Sequence, residues 1–210
     1  MKLLDITLTL RDALPCWPGD TPFRFALAWS KAEGATVNVG QVSTSIHIGT
    51  HVDAPFHFDS GGATVENLGL DPFVGPALVV DVRGRPVIRI EDLETFDLAK
   101  TPRLLLRTDG WLDHSRFPES IPVIDRDVPA YLNEQGVILL GLDVPSVDQI
   151  DNTDLPIHLS LGSFRISILE SVDLTRVEPG VYELIALPLK IAGGDGSPVR
   201  AILRDGGTTR

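Results

Sequence analysis

The sequence holds a single cysteine, Cys16, in 210 residues, so no disulfide can form within the chain. That excludes a disulfide-stapled scaffold and suits a reducing compartment. Basic residues are also scarce: 18 Lys and Arg face 29 Asp and Glu, a formal net charge of −11. A nucleic-acid binder needs a basic face, and an anionic membrane surface attracts basic clusters, so neither partner is expected. Long apolar runs are missing. Stretches such as Val137-Ile138-Leu139-Leu140 fall far short of the roughly 18 residues of a membrane span. Asp5 interrupts the N-terminal apolar run at once, so no secretory signal is expected there, and a cytoplasmic location follows as the expectation. No internal repeat, heptad or low-complexity tract occurs. There is no Gly-x-Ser-x-Gly elbow, which weighs against a serine hydrolase. Gly193-Gly194-Asp195-Gly196 lacks the Lys-Ser/Thr of a phosphate-binding loop and reads as a tight turn.

A hydrophobic content of 43% with 22% charged residues is that of a globular chain. At roughly 150 residues per domain, residues 1–210 read as one domain, large enough to bury about 70% of its unfolded surface without a staple. Leu4–Leu10 alternates apolar and polar residues, the pattern of a half-buried strand. Ala77–Val82, Arg103–Arg107, Val137–Leu142, Tyr182–Leu189 and Val199–Leu203 are short apolar runs bounded by Gly, Pro or Asp, and read as further strands. Helix is expected over Ile90–Phe96, Val128–Gln135 and Ser163–Ser171, with Asp127 as an N-cap, Pro129 in the first turn and Gly136 as the stop. The fold class that follows is α/β: a single layered domain with mixed β-sheets and a few helices.

Chemistry concentrates in Ser45–Phe58. Three of the five histidines, His47, His51 and His57, lie within eleven residues, with Asp53 between them. Positions 47, 51 and 53 are polar, whereas 46, 48 and 52 are Ile, Ile and Val, so an extended backbone would set the polar groups on one face. A straight strand would separate the Cα atoms of His47 and His51 by about 13 Å, too far for two imidazoles on one ion at about 2.1 Å. The chain must bend, and Gly49 is the residue that permits it. Pro55 keeps Ala54 extended and sets His57 in a turn beyond the aspartate. Imidazole plus carboxylate suits Zn²⁺ or another borderline divalent ion, and a three-ligand set leaves positions open for catalysis. Downstream, His158 and Glu170 are further candidates, while His114 sits in a polar turn and reads as surface.

His47-Ile48-Gly49-Thr50-His51-Val52-Asp53-Ala54-Pro55-Phe56-His57-Phe58 resembles the signature of the metal-dependent cyclase/amidohydrolase superfamily. Within it the chain resembles bacterial kynurenine formamidases: in Cys16–Pro22, in Val37–Gly40, in Gly141–Asp148, and in Glu183–Lys190 followed by Gly193–Leu203. Val144 stands where the family usually has Thr, and Leu155–Leu159 lacks a second His after His158. The resemblance implies a swivelling β/β/α fold, a homodimer, and two zinc ions per subunit, with manganese as the alternative. It implies His47, His51 and Asp53 on one ion, Asp53 bridging to a second held by His158 and Glu170, His57 as proton donor and acceptor, and Trp17 against the substrate. The implied reaction is hydrolysis of N-formyl-L-kynurenine to L-kynurenine and formate. Two other readings are a hydrolase of a related cyclic amide such as isatin, and a non-catalytic small-molecule-binding module containing a metal.

Overall fold

The computed structural model describes residues 2–205. The strands are β1 (Leu3–Asp5), β2 (Arg24–Trp29), β3 (Val39–Ser43), β4 (His51–Asp53), β5 (Val74–Asp81), β6 (Val87–Ile88), β7 (Arg103–Arg107), β8 (Val123–Ile124), β9 (Leu139–Leu142), β10 (Ser167–Glu170), β11 (Gly180–Ile185), β12 (Gly196–Pro198) and β13 (Ile202–Asp205). Two α-helices stand among the described residues, α1 (Val128–Glu134) and α2 (Pro156–Ser163). Nine strands form one sheet in the order β1-β13-β11-β5-β7-β9-β10-β4-β12. Its centre, β5-β7-β9-β10, is parallel, and both flanks are antiparallel. The α/β expectation with a mixed sheet holds.

The centre of the sheet is apolar on both faces, as a parallel sheet covered on both sides requires. Along β7, Leu104 and Leu106 enter one core cluster while Leu105 enters the other. Along β10, Ile168 and Leu169 divide in the same way. One cluster lies under the helices and includes Leu132 of α1 and Ile157 and Leu161 of α2. The other draws on β4, β5, β7, β9, β10, β11 and β13 together, through Val52, Val79, Leu105, Leu139, Leu169, Leu184 and Leu203. Strands at opposite ends of the sheet share that cluster because the sheet curls around it.

Ligand sites in open parallel sheets lie beyond the carboxyl ends of the strands, and here Asp143 shapes that end. Its carboxylate accepts the backbone N–H groups of Thr108 and Asp109 and the Thr108 hydroxyl, tying the loop after β9 to the loop after β7. Burial pushes the Asp143 carboxyl up to about 6 against the pull of those donors.

Several local expectations need correction. The Leu4–Leu10 alternation survives in burial, with Ile6 and Leu8 inside, but regular pairing stops at Asp5. Beyond it the partner changes from β13 to an isolated bridge between Thr7 and Val172. Ile90–Phe96 forms only a 3₁₀ turn at Ile90–Asp92. Ser163–Ser171 is not a helix: α2 ends at Ser163, and Ser167–Glu170 pairs with β4 and β9 as a strand. A short apolar run reads equally as strand or buried helix, and only sheet partners decide it. Val199–Leu203 divides, its first half being the link between β12 and β13. Asp127 makes no side-chain cap on α1, although Gly136, at φ +77°, does end it. The hairpin β2–β3 stands apart from the main sheet and is exposed along both strands, including Phe25, Leu27, Trp29 and Val42.

Candidate metal centre

The Ser45–Phe58 segment folds as a bend, a short strand and a turn. Residues 46–50 bend, Gly49 takes φ +61°, and regular strand begins only at His51. His47 therefore does not lie on the strand with His51 and Asp53, and the bend at Gly49 brings it back toward them. A side chain at Gly49 would also press on Leu10 and Leu14. Pro55–His57 is a 3₁₀ turn, as the proline suggested. Antiparallel register sets His51 of β4 directly opposite Glu170 of β10. Val52 and Leu169 face the enclosed core, so the period-2 pleat turns His51, Asp53 and Glu170 the other way, toward α2. There His158, in the first turn of α2, joins them.

All six chemistry-bearing positions named from the sequence meet around one volume. His51, Asp53, His158 and Glu170 are buried, His47 is half-buried, and the His57 side chain is 32% exposed. His47 Nδ1 lies 3.0 Å and His51 Nε2 3.4 Å from Asp53 Oδ1, and His51 Nε2 lies 3.4 Å from Glu170 Oε2. On the other side, His158 Nε2 lies 3.5 Å from Asp53 Oδ2 and 3.6 Å from Glu170 Oε1. Each carboxylate thus turns one oxygen toward His51 and the other toward His158. Donors on a tetrahedral ion with legs near 2.1 Å stand about 3.4 Å apart. The separations from His51 and His158 match, while His47 and Asp53 are closer, at hydrogen-bond distance.

Whether the residues suit a cation is tested by their polar atoms. Asp53 Oδ2 is buried with no hydrogen-bond partner among the described residues. A buried carboxylate oxygen without a donor is costly, and a metal ion is one of the few groups that satisfies it. The imidazoles are prepared for the same purpose. His51 Nδ1 donates to Gly49 O at 2.8 Å, leaving Nε2 free. His158 Nδ1 donates to Asp148 at 2.7 Å, again leaving Nε2 free. Asp148 also accepts the backbone N–H groups of Ile157 and His158, so one carboxylate caps α2 and aims its histidine. Such partners fix the tautomer and orientation of a ligating ring. The donor set fits a divalent cation.

The electrostatics agree. Burial alone would lower the His51 pKa, but Asp53 and Glu170 overcome it and hold the ring up at about 10. His158 is likewise penalised by burial, yet Asp148, Asp53 and Glu170 push it up to about 12. Burial works against the charged Asp53 carboxylate too, but its histidines hold it well below the usual range. The carboxylates demand positive charge, which protons supply in the absence of a cation and surrender when one binds. His57 goes the other way: burial lowers its pKa despite Asp53, which favours a neutral ring.

The centre opens into a cavity of about 410 Å³, which Trp17, His57, Pro145, Ile150 and Leu155 help to line. Trp17 sits edge-on to Phe117, with ring centroids 5.3 Å apart. Phe56 and Phe58, which flank His57, do not line this cavity: Phe56 is exposed, and Phe58 packs against the His158 ring. His114 lies elsewhere, edge-on to Trp111. Sequence reasoning missed Asp148 and Asp195. Asp148 had no local signal beyond the Gly141–Asp148 motif, and Asp195 was hidden in a glycine-rich turn. No helix among the described residues is long and apolar enough to cross a membrane.

Comparison with known proteins places this geometry. The family model described as "Putative cyclase" matches residues 4–149. The kynurenine formamidase of Geobacillus thermodenitrificans is 48% identical over 201 residues, covering 96% of each chain. A solved structure titled as a potential metal-dependent hydrolase with cyclase activity superposes with a TM-score of 0.79 at 25% identity, covering 96% of each chain. Isatin hydrolase A from Ralstonia solanacearum superposes with a TM-score of 0.82 at 24% identity, covering 96% of this chain and 91% of that one, and so shares the fold. The chain belongs to the cyclase family and, within it, to the kynurenine formamidases.

Proposed function

We propose that this chain is a metal-dependent amidohydrolase that converts N-formyl-L-kynurenine and water to L-kynurenine and formate, acting as a single domain over residues 1–210. One observation carries the metal half of this reading: Asp53 and Glu170 each divide their two oxygens between His51 and His158, and Asp53 Oδ2 has no other partner among the described residues. The substrate half rests on likeness: a kynurenine formamidase at 48% identity over nearly the whole chain outweighs isatin hydrolases that share only the fold. We assign His47, His51 and Asp53 to one ion and Asp53, His158 and Glu170 to a second, with zinc as the metal and manganese as the alternative that the same donors accept. Such ions, when bound, acidify water and polarise a carbonyl oxygen.

The residues of the chain do the rest. Trp17, on the wall of the cavity, offers its face to the aromatic ring of the substrate. Pro145, Ile150 and Leu155 line the cavity and limit bulk water around the formyl group. His57, kept neutral by burial, takes a proton from the attacking water. The bond broken is that between the formyl carbon and the aryl nitrogen. His57 then delivers its proton to that nitrogen, so that an aromatic amine leaves instead of an anion. Its Nδ1 faces Asp195 at 3.7 Å, so Nε2 is the atom that carries the proton.

We also propose a cytoplasmic homodimer. The lone thiol of Cys16 suits a reducing compartment. The β2–β3 hairpin presents Phe25, Trp29 and Val42 more than half exposed, and a second copy is the partner that would cover them.

Three outcomes follow. Chelation should abolish turnover of N-formyl-L-kynurenine, and added zinc or manganese should restore it, with isatin turned over poorly in parallel assays; turnover that survives complete metal removal contradicts the mechanism. His57→Ala should retain its metal but lose on the order of 10²-fold or more in kcat; wild-type kcat in the metallated variant removes His57 from proton transfer. In sedimentation velocity the wild type should run as a dimer and the Phe25→Asp, Trp29→Asp double variant as a monomer, whereas an unchanged dimer places the interface elsewhere.

A further inference from the structure

The three imidazoles assigned to metal differ in how their backbones are held. His51 lies on a strand paired on both sides, and His158 lies in a helix. His47 lies on the bend at residues 46–50, outside any regular element. Its ring orientation therefore needs a side-chain partner more than the others do. Asp195 meets that need. Its Oδ2 lies 3.0 Å from His47 Nε2, on the far side of the ring from the Nδ1 that faces Asp53. The same oxygen lies 3.7 Å from His57 Nδ1, and the His47 and His57 rings stack with centroids 3.9 Å apart.

The turn that carries Asp195 is built to reach this position. Val65 N–H donates to Gly194 O at 2.8 Å, and Ala54 N–H donates to Asp195 O at 2.9 Å, which ties the turn to the end of β4. Gly193 N–H donates to the Glu66 carboxylate at 2.9 Å. At Gly196 a Cβ would come within 2.8 Å of His47 Cε1 and of Val52 O, so only glycine lets the turn approach the ring so closely.

We propose that Asp195 is a positioning residue for two imidazoles at once: by accepting a hydrogen bond from His47 Nε2–H it presents Nδ1 to the metal, and by facing His57 Nδ1–H it directs Nε2 toward the substrate. This rests on the metal-site reading above. It gives His47 the same kind of support that Asp148 gives His158 and Gly49 O gives His51. Partners of this type are worth about 10- to 100-fold in metal affinity or activity.

The test is zinc affinity by chelator competition on Asp195→Ala and Asp195→Asn, alongside the melting temperature of the metal-free proteins and kcat and KM for N-formyl-L-kynurenine at saturating zinc. Asp195→Ala should bind zinc about 10- to 100-fold more weakly, keep the metal-free melting temperature, and lose kcat with KM little changed. Asp195→Asn, whose amide oxygen still accepts from His47 Nε2–H, should recover most of the affinity. Should Asp195→Ala fail to fold, Asp195→Ser keeps a turn-forming polar side chain but falls short of the rings, and takes its place. Wild-type zinc affinity and kcat in the truncated variant overturn the proposal, as does a loss of affinity matched by a loss of metal-free stability. Wild-type protein that binds no zinc sinks the metal reading itself.

Discussion

Two buried carboxylates, Asp53 and Glu170, face the same small volume between His51 and His158, and their charge has to be balanced there. Removing such ions from water costs several kcal/mol apiece unless opposite charge and hydrogen bonds compensate. Glu170 Oε1 accepts the backbone N–H of Val147 at 3.0 Å. Asp53 Oδ2 has no such donor among the described residues, only the nearby His158 ring. Around this demand for positive charge the other polar groups fall into order. Gly49 O, Asp148 and Asp195 each take one ring nitrogen and leave its opposite number aimed inward.

The sheet makes the arrangement possible. Antiparallel pairing of β4 with β10 places His51 against Glu170, and antiparallel pairing of β12 with β4 places Gly196 against Asp53 and so brings Asp195 beside His47. Both pairings lie at one end of the nine-stranded sheet, and the parallel strands alongside contribute their carboxyl ends and the loop after β9. The apolar partners of these residues, Val52, Ile168 and Leu169, are packed into the two cores. The polar side chains are thereby carried on a backbone with little freedom to relax, which is what a site needs if its ligands are to be held before a cation arrives.

The local part of this site was legible in the chain. His47, His51, Asp53 and His57 lie within eleven residues, and both the bend at Gly49 and the turn set by Pro55 follow from the conformational limits of those two residues. The long-range part was not. Glu170 sits on a run that reads as strand or helix equally well, and its role depends on pairing with a strand more than a hundred residues earlier. His158 and Glu170 stand out as candidates far downstream, but only resemblance to a family, not spacing, ties them to the histidine cluster. Asp195 could not be found at all, because a glycine-rich turn before a strand has an adequate local explanation and the reason for its geometry is a ring 148 positions away. The same limit explains Ser163–Ser171, where composition was satisfied by either period and the sheet decided.

The central claim is a pair of cation positions that share Asp53, one completed by His47 and His51 and the other by His158 and Glu170. It is tested most directly by a crystal structure of the zinc-loaded protein with anomalous difference maps on both sides of the zinc edge. The account predicts two peaks, one within bonding distance of His47, His51 and Asp53 and the other within bonding distance of Asp53, His158 and Glu170. A fully loaded crystal with a single peak, or with peaks that leave Asp53 Oδ2 uncoordinated, would contradict it.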